Sequence, residues 1–178
     1  MKQKEVLEIN ESQEQIERIR EILGSFRLPA YGEIPDVGLY LEQVTRFINQ
    51  SLGDFPDMQA TPSMISNYVK LKMVSRPVKK MYSREQIASL LFIVLAKTVL
   101  SMDNIRKVFA MMGEEAGMEA GYEYFRKCME AALVSFSEEK SASGKRNMLD
   151  YTASAVAYKM YLNLYFDGLR DGAESEVE

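Results

Sequence analysis

Residues 61–86 read TPSMISNYVKLKMVSRPVKKMYSREQ, and they carry a charge unlike that of the rest of the chain. Six basic residues (Lys70, Lys72, Arg76, Lys79, Lys80 and Arg84) fall here, and no acidic residue comes before Glu85. The full 178 residues hold 22 basic and 26 acidic side chains, so 16 basic against 26 acidic remain outside this stretch. A basic island in an acidic chain suits a polyanion. A lysine cluster on a solvated face is the plainer alternative, and charge alone does not separate the two.

Local chemistry gives the island a frame. Thr61 followed by Pro62 is a cap residue with proline at the first helical position, which predicts a short helix through PSMISNYVKLKM. Met64, Ile65 and Tyr68, with Val69 and Leu71, are expected to face inward, and Ser63, Ser66, Asn67, Lys70 and Lys72 outward. Val74 to Tyr82 contains Pro77 and the β-branched Val74 and Val78, so it predicts an extended, hairpin-like segment rather than a helix. Ser83, with Gln86 three residues on, forms a capping box that restarts the helix. From Ile87 to Leu100 the chain is apolar nearly all round, as expected of the helix at the centre of a core. Tyr68 and Tyr82 read as core anchors of the helix and the wing.

Working outward, residues 3–26 predict a helix with Ile9, Ile16 and Leu23 seven apart and Ile19 and Phe26 between them. The turn LPAYGEIPD follows, and Asp36 is the expected cap of a helix over VGLYLEQVTRFINQSL. Leu41, Val44, Phe47, Ile48 and Leu52 give that helix one apolar face. A linker, Gly53–Ala60, joins it to the capped helix at Pro62. Ser101 and Asp103 open a further helix over MDNIRKVFAMM, and Gly113–Gly121 reads as a turn or a helix start. Tyr122–Phe136 predicts another helix, SEEKSASGK a loop, and Arg146–Leu169 a last helix with Ala155, Tyr158, Leu162, Tyr165 and Leu169 in one stripe. The tail DGAESEVE is expected to fray. The predicted class is all-α with at most a small β-hairpin. Its regions are 1–28, 29–112 and 113–178: an N-terminal helix packing on the core, a central domain and a helical C-terminal region.

Several function classes are set aside by composition. There is no histidine, and Cys128 is the single cysteine, so Cys/His zinc sites, Ser-His-Asp triads and an internal disulfide are excluded. Cys128, in YFRKCMEAAL, is expected to be a small buried hydrophobe. Glu114–Glu115 and Glu138–Glu139 are adjacent pairs that do not share a helix face, and no glycine-rich phosphate loop is present. No catalytic residue, metal or cofactor is expected. The apolar stretch Ile87–Ala96 stops at Lys97, well short of the ~20 residues a membrane span needs. The N-terminus has no signal-peptide core, so a cytoplasmic protein without a membrane partner is expected.

A short capped helix followed by a basic extended segment is the layout of a winged helix-turn-helix. The helix N-terminus favours anions, Asn67 can pair with adenine, and Ser63 and Ser66 are small enough to approach base edges. Lysines here would neutralise phosphates. The candidate double-stranded DNA contacts are therefore Thr61, Ser63, Ser66, Asn67, Lys70, Lys72, Arg76, Lys79, Lys80 and Arg84. The stretch TPSMISNYVKLKMVSRPVKKMYSREQIASLLFI resembles the DNA-binding half of MerR-type regulators. It matches them at Thr61, Tyr68, Met73–Val74, Arg76–Lys80 and Tyr82–Ser83. Those regulators usually carry arginine and an aromatic where this chain has Ser66 and Asn67, and a glycine where it has Lys72. More closely, residues ~29–112 resemble a bacterial family known only as domain of unknown function 1836, through TPSMISNYVK, PVKKMYSREQIA and the LSMDNI segment.

The resemblance implies a MerR-like helix-turn-helix with additional C-terminal helices, DNA binding, and a homodimer joined through a later helix. Tyr122–Phe136 and Arg146–Leu169 are the candidates for that helix. No long heptad helix stands out, so a compact helical pairing is expected in preference to an antiparallel coiled coil. Tyr151, Tyr158, Tyr161, Tyr165 and Phe166 are core, dimer face or, as a third alternative, the lining of a small-molecule effector pocket. The alternative to a transcriptional regulator is a protein-interaction module on the same fold, its basic wing meeting an acidic partner.

Overall fold

A computed structural model describes residues 13–53, 55–115, 117–138 and 148–174. Seven helices are formed among them: α1 (Gln13–Ser25), α2 (Leu41–Leu52), α3 (Pro62–Lys70), α4 (Arg84–Ala96), α5 (Met102–Glu115), α6 (Gly117–Glu138) and α7 (Met148–Glu174). Two short strands, β1 (Leu39–Tyr40) and β2 (Met81–Tyr82), pair antiparallel with Leu39 opposite Tyr82 and Tyr40 opposite Met81. The mostly helical class with one small sheet is the one the sequence predicts. The chain divides into two compact units, Phe26–Ala131 and a second made of residues 1–25 with 132–178.

Within Phe26–Ala131 the core is built around α4. Every residue from Gln86 to Ala96 is buried, so only half-buried Arg84 and exposed Glu85 at the start of this helix meet solvent. Each fully buried Leu or Ile contributes roughly 1.5–3 kcal/mol, which makes α4 the largest single source of burial in the unit. Its two-way cap is formed as predicted: the Ser83 amide donates to Gln86 Oε1 at 2.8 Å, and the Gln86 amide donates to Ser83 Oγ at 3.4 Å. Helix α2 packs against α3, α4 and both strands, burying Val44, Ile48 and Leu52. Phe92 of α4 meets Phe109 of α5 at 5.3 Å between ring centres and Phe125 of α6 at 4.8 Å, edge to face, tying the later helices to the same core.

The chain ahead of α2 is pinned to α6. The Tyr122 hydroxyl donates to the Pro29 carbonyl at 2.8 Å, and the Tyr31 amide donates to Glu123 Oε1 at 2.6 Å. Arg126 in turn donates to Glu123 from two nitrogens, at 3.0 and 3.1 Å, and to Glu130 at 2.7 Å. The bond from Tyr31, with Arg126 beside it, holds the Glu123 carboxyl below its usual pKa against the opposing effect of burial. Burial, together with the nearby Glu123 charge, raises the pKa of the Tyr122 hydroxyl.

Several expectations need correction. Asp36 caps no helix: it is exposed, and α2 begins only at Leu41, where Gln43 Oε1 accepts from the Tyr40 amide at 2.9 Å. The intervening residues are taken by β1, because a Cβ on Gly38 would stand 2.7 Å from Met81 Cβ, and only glycine lets the two segments approach so closely. Leu71 is exposed rather than inward-facing. Cys128 is exposed, because the buried stripe of α6 runs through Tyr122, Phe125 and Met129 and leaves it to one side. Helix α7 continues through Glu174 into the predicted tail. Its predicted stripe is not a buried one: Tyr158 and Tyr165 are exposed while Phe166 is buried, and the side chain of Leu169 lies outside the described residues. Ser137 and Glu138, expected to open the loop SEEKSASGK, belong to α6 instead; the rest of that loop, the first part of the predicted N-terminal helix and the side chains of both acidic pairs lie outside the described residues.

Candidate nucleic-acid interface

Thr61 sets the start of α3. Its backbone is extended (φ −119°, ψ 156°), its Oγ1 accepts from the Met64 amide at 3.2 Å, and Pro62 occupies the first turn, where its missing N–H costs nothing. The preceding linker is short-circuited by Asn49, which accepts from the Ala60 amide at 2.8 Å and donates to the Ala60 carbonyl at 3.0 Å. One side chain of α2 thus fixes the residue just before the cap. Ile65 and Tyr68 then bury against the core, and Met64 and Val69 pack at its edge. Ser63, Asn67 and Lys70, spaced four and three apart, lie exposed on the opposite side, with Ser66 half-buried between the two faces.

The helix ends in a Schellman motif. The Met73 amide donates to the Tyr68 carbonyl at 2.9 Å and the Lys72 amide to the Val69 carbonyl at 3.1 Å, with Met73 and Tyr68 both buried beneath. That motif needs a left-handed residue in its turn, and Lys72 supplies it at φ 57°. Glycine usually fills such a position, because a side chain there crowds its own carbonyl. The last carbonyl is also held from α5: Arg106 Nη2 donates to the Leu71 oxygen at 3.1 Å while its Nη1 pairs with Asp103 at 2.6 Å. Arg106 was not among the residues singled out in the sequence. Nothing in LSMDNIRKVF announces a contact with a carbonyl 35 residues earlier.

The wing is a tight two-residue hairpin. Val78 and Met81 form a bridge in which the Met81 amide donates to the Val78 carbonyl at 2.9 Å, and Lys79 (φ 51°) and Lys80 (φ 66°) make the turn between them. Positive φ at both central residues is the signature of a type I′ turn, where Asn-Gly is the favoured pair. Tyr82 is buried behind the hairpin, and burial raises its pKa, as it does for Tyr68. The base of the wing is tied to α4 by Gln86 Nε2, which donates to the carbonyl and the hydroxyl of Ser75 at 2.8 and 2.9 Å. Lys70, Lys72, Arg76, Lys79 and Lys80 are all exposed, and none is ion-paired among the described residues.

Arg84 stands apart from that group. Its Nε donates to the Ile34 carbonyl at 2.8 Å, its guanidinium lies 5.7 Å from the Tyr31 ring centre, and Asp36 is 3.9 Å away. The side chain stitches α4 to the segment before α2. The remaining candidates lie on α3, its cap and exit, or on the wing. Among the described residues no group of three or more Cys, Asp or Glu side chains is placed to hold a metal ion, and no helix is long and apolar enough to cross a membrane.

No curated protein and no solved structure matches the chain. A family model does, over residues 29–125. That span runs from Pro29 to Phe125 and takes in both ends of the Tyr122–Pro29 and Tyr31–Glu123 hydrogen bonds. It covers more than half of the 178 residues, and the chain belongs to the family described as Domain of unknown function (DUF1836).

Proposed function

We propose that this protein is a double-stranded DNA-binding regulator of the MerR-like winged helix-turn-helix kind, acting as a homodimer. Helix α3 presents Ser63, Ser66 and Asn67 to the bases, with Thr61 at its anion-favouring N-terminus. Lys70, Lys72, Arg76, Lys79 and Lys80 contact phosphates. The observation that carries the proposal is backbone strain. Lys72, Lys79 and Lys80 are the non-glycine residues at positive φ among those described, and all three are lysines of the one basic stretch. Left-handed backbone costs a lysine roughly 1–2 kcal/mol, and strain of this kind gathers at functional sites. A stretch under no demand for charge would carry Gly or Asn at these turns.

A protein partner with an acidic surface is the second reading. Tyr40 and Val78, exposed on the outer face of the small sheet beside the lysines, favour it. Selection of bound duplexes from a random-sequence pool separates the two. Under the DNA proposal a site is recovered, replacing Lys79 and Lys80 by Ala weakens binding to all sequences alike, and Asn67→Ala changes which sequences are preferred. Recovery of no duplex, with an acidic protein bound instead, selects the second reading.

A further inference from the structure

Lys72 keeps a left-handed backbone, and one peptide unit decides whether it stays there. The peptide joining Leu71 to Lys72 is planar and trans, so its C=O and N–H point in opposite directions. The N–H donates to the Val69 carbonyl at 3.1 Å within the exit turn. The C=O accepts from Arg106 Nη2, also at 3.1 Å, on the side facing α5. A half-turn of this unit alone changes ψ of Leu71 and φ of Lys72 together. It would carry Lys72 from φ 57° to extended backbone that any residue adopts. That relaxation frees the crowded lysine side chain, and it breaks both hydrogen bonds. Arg106 is well placed to oppose it. Asn104 and Ile105 before it are buried, and Phe109 beyond it packs on Phe92 of α4, so its backbone is fixed to the core. Asp103 Oδ1 accepts from Nη1 at 2.6 Å, which leaves Nη2 aimed at the Leu71 carbonyl. The donor is charged and stands at the negative end of α3, and both features strengthen the bond.

We infer that Arg106 is a positioning residue for the basic surface. It locks the Leu71–Lys72 peptide, keeps Lys72 left-handed, and so aims the Lys72 side chain and the chain that enters the wing. A glycine at 72 would need no such hold, because left-handed backbone costs it little. The lysine needs one, and α5 supplies it. Arg106 acts through Lys72 and not on the nucleic acid itself, since its charge is already paired with Asp103. The consequence for DNA rests on the DNA-binding reading above; the lock itself does not.

Amide hydrogen exchange of the free full chain, read by NMR, tests the lock without nucleic acid. The Met73 amide reports on it, because it donates to the Tyr68 carbonyl beside the locked peptide. Arg106→Ala speeds Met73 exchange at least tenfold. The site is exposed and Ala suits a helix, so the amides of buried α4 keep their protection. In a Lys72→Gly background the same change alters Met73 exchange by less than about twofold, because glycine holds the turn unaided. Acceleration in both backgrounds, or in neither, overturns the lock. Duplex DNA supplies the second arm. Arg106→Ala and Lys72→Gly each weaken binding several-fold and make the salt slope shallower by about 0.9. The two together are no worse than Lys72→Gly alone, as expected when one residue acts through the other. Additive losses place Arg106 on a phosphate of its own and overturn the positioning role. If no chain binds duplex, the DNA-binding reading falls, and Met73 exchange decides the lock by itself.

Discussion

Lys72, Lys79 and Lys80 each hold a backbone conformation that glycine or asparagine adopts at lower cost. Replacing Lys79 by Asn and Lys80 by Gly gives the hairpin its favoured turn pair, and the fold gains about 1–2 kcal/mol in denaturant unfolding. Under the proposed DNA binding the same change removes two phosphate contacts, so DNA affinity falls as stability rises. Equal affinity in the stabilised variant contradicts a functional origin of the strain. Lys72→Gly behaves alike on a smaller scale, gaining about 1 kcal/mol. Glu123 makes a separate prediction. Its carboxyl is held below the usual 4.5 by the Tyr31 amide first and by Arg126 after it. The stability it contributes is therefore present above the unfolded-state pKa and lost as pH falls through the depressed folded value. Glu123→Gln lowers stability by about 1–2 kcal/mol at neutral pH and flattens the acid limb of stability against pH. An unchanged acid limb contradicts the assignment.

Elements whose signals are local were legible in the sequence. The Thr61–Pro62 start of α3, the Ser83–Gln86 box and the all-round apolar α4 each depend on neighbours within a turn, and each forms as the residues predict, except that α4 stops at Ala96 and leaves Lys97–Leu100, expected to be helical, in turns with Val99 exposed. What was hidden depends on distant partners. Residues 37–40 read as the first turn of a helix because nothing nearby says that Leu39–Tyr40 pairs with Met81–Tyr82. Gly38 is the local trace of that pairing, and its meaning is visible only beside Met81. Gly38→Ala forces Met81 Cβ back and costs about 1–3 kcal/mol, read as a lowered midpoint of urea unfolding. The same limit applies in the basic stretch. Lys70 and Lys72 were expected outward and lie there, and Arg76, Lys79 and Lys80 are exposed as well, whereas Arg84, equally basic in sequence, is engaged with Ile34, Tyr31 and Asp36. Arg106 escaped notice because its contact is with a carbonyl.

Across the whole molecule, the family match fixes kinship over residues 29–125 and leaves the activity to be argued from charge and shape. The chain has 22 basic against 26 acidic residues, so an unorganised surface would repel a polyanion overall. In the proposed function, binding depends on the five exposed cations of α3, its exit and one hairpin. A salt titration of duplex binding by fluorescence anisotropy reads that dependence most directly. With Lys70, Lys72, Arg76, Lys79 and Lys80 each neutralising one phosphate, log affinity falls against log salt with a slope of about −4.5 per protomer. In the Lys79→Ala, Lys80→Ala variant the slope becomes shallower by about 2. No binding at ~50 mM salt, or a slope the double variant leaves unchanged, contradicts the account.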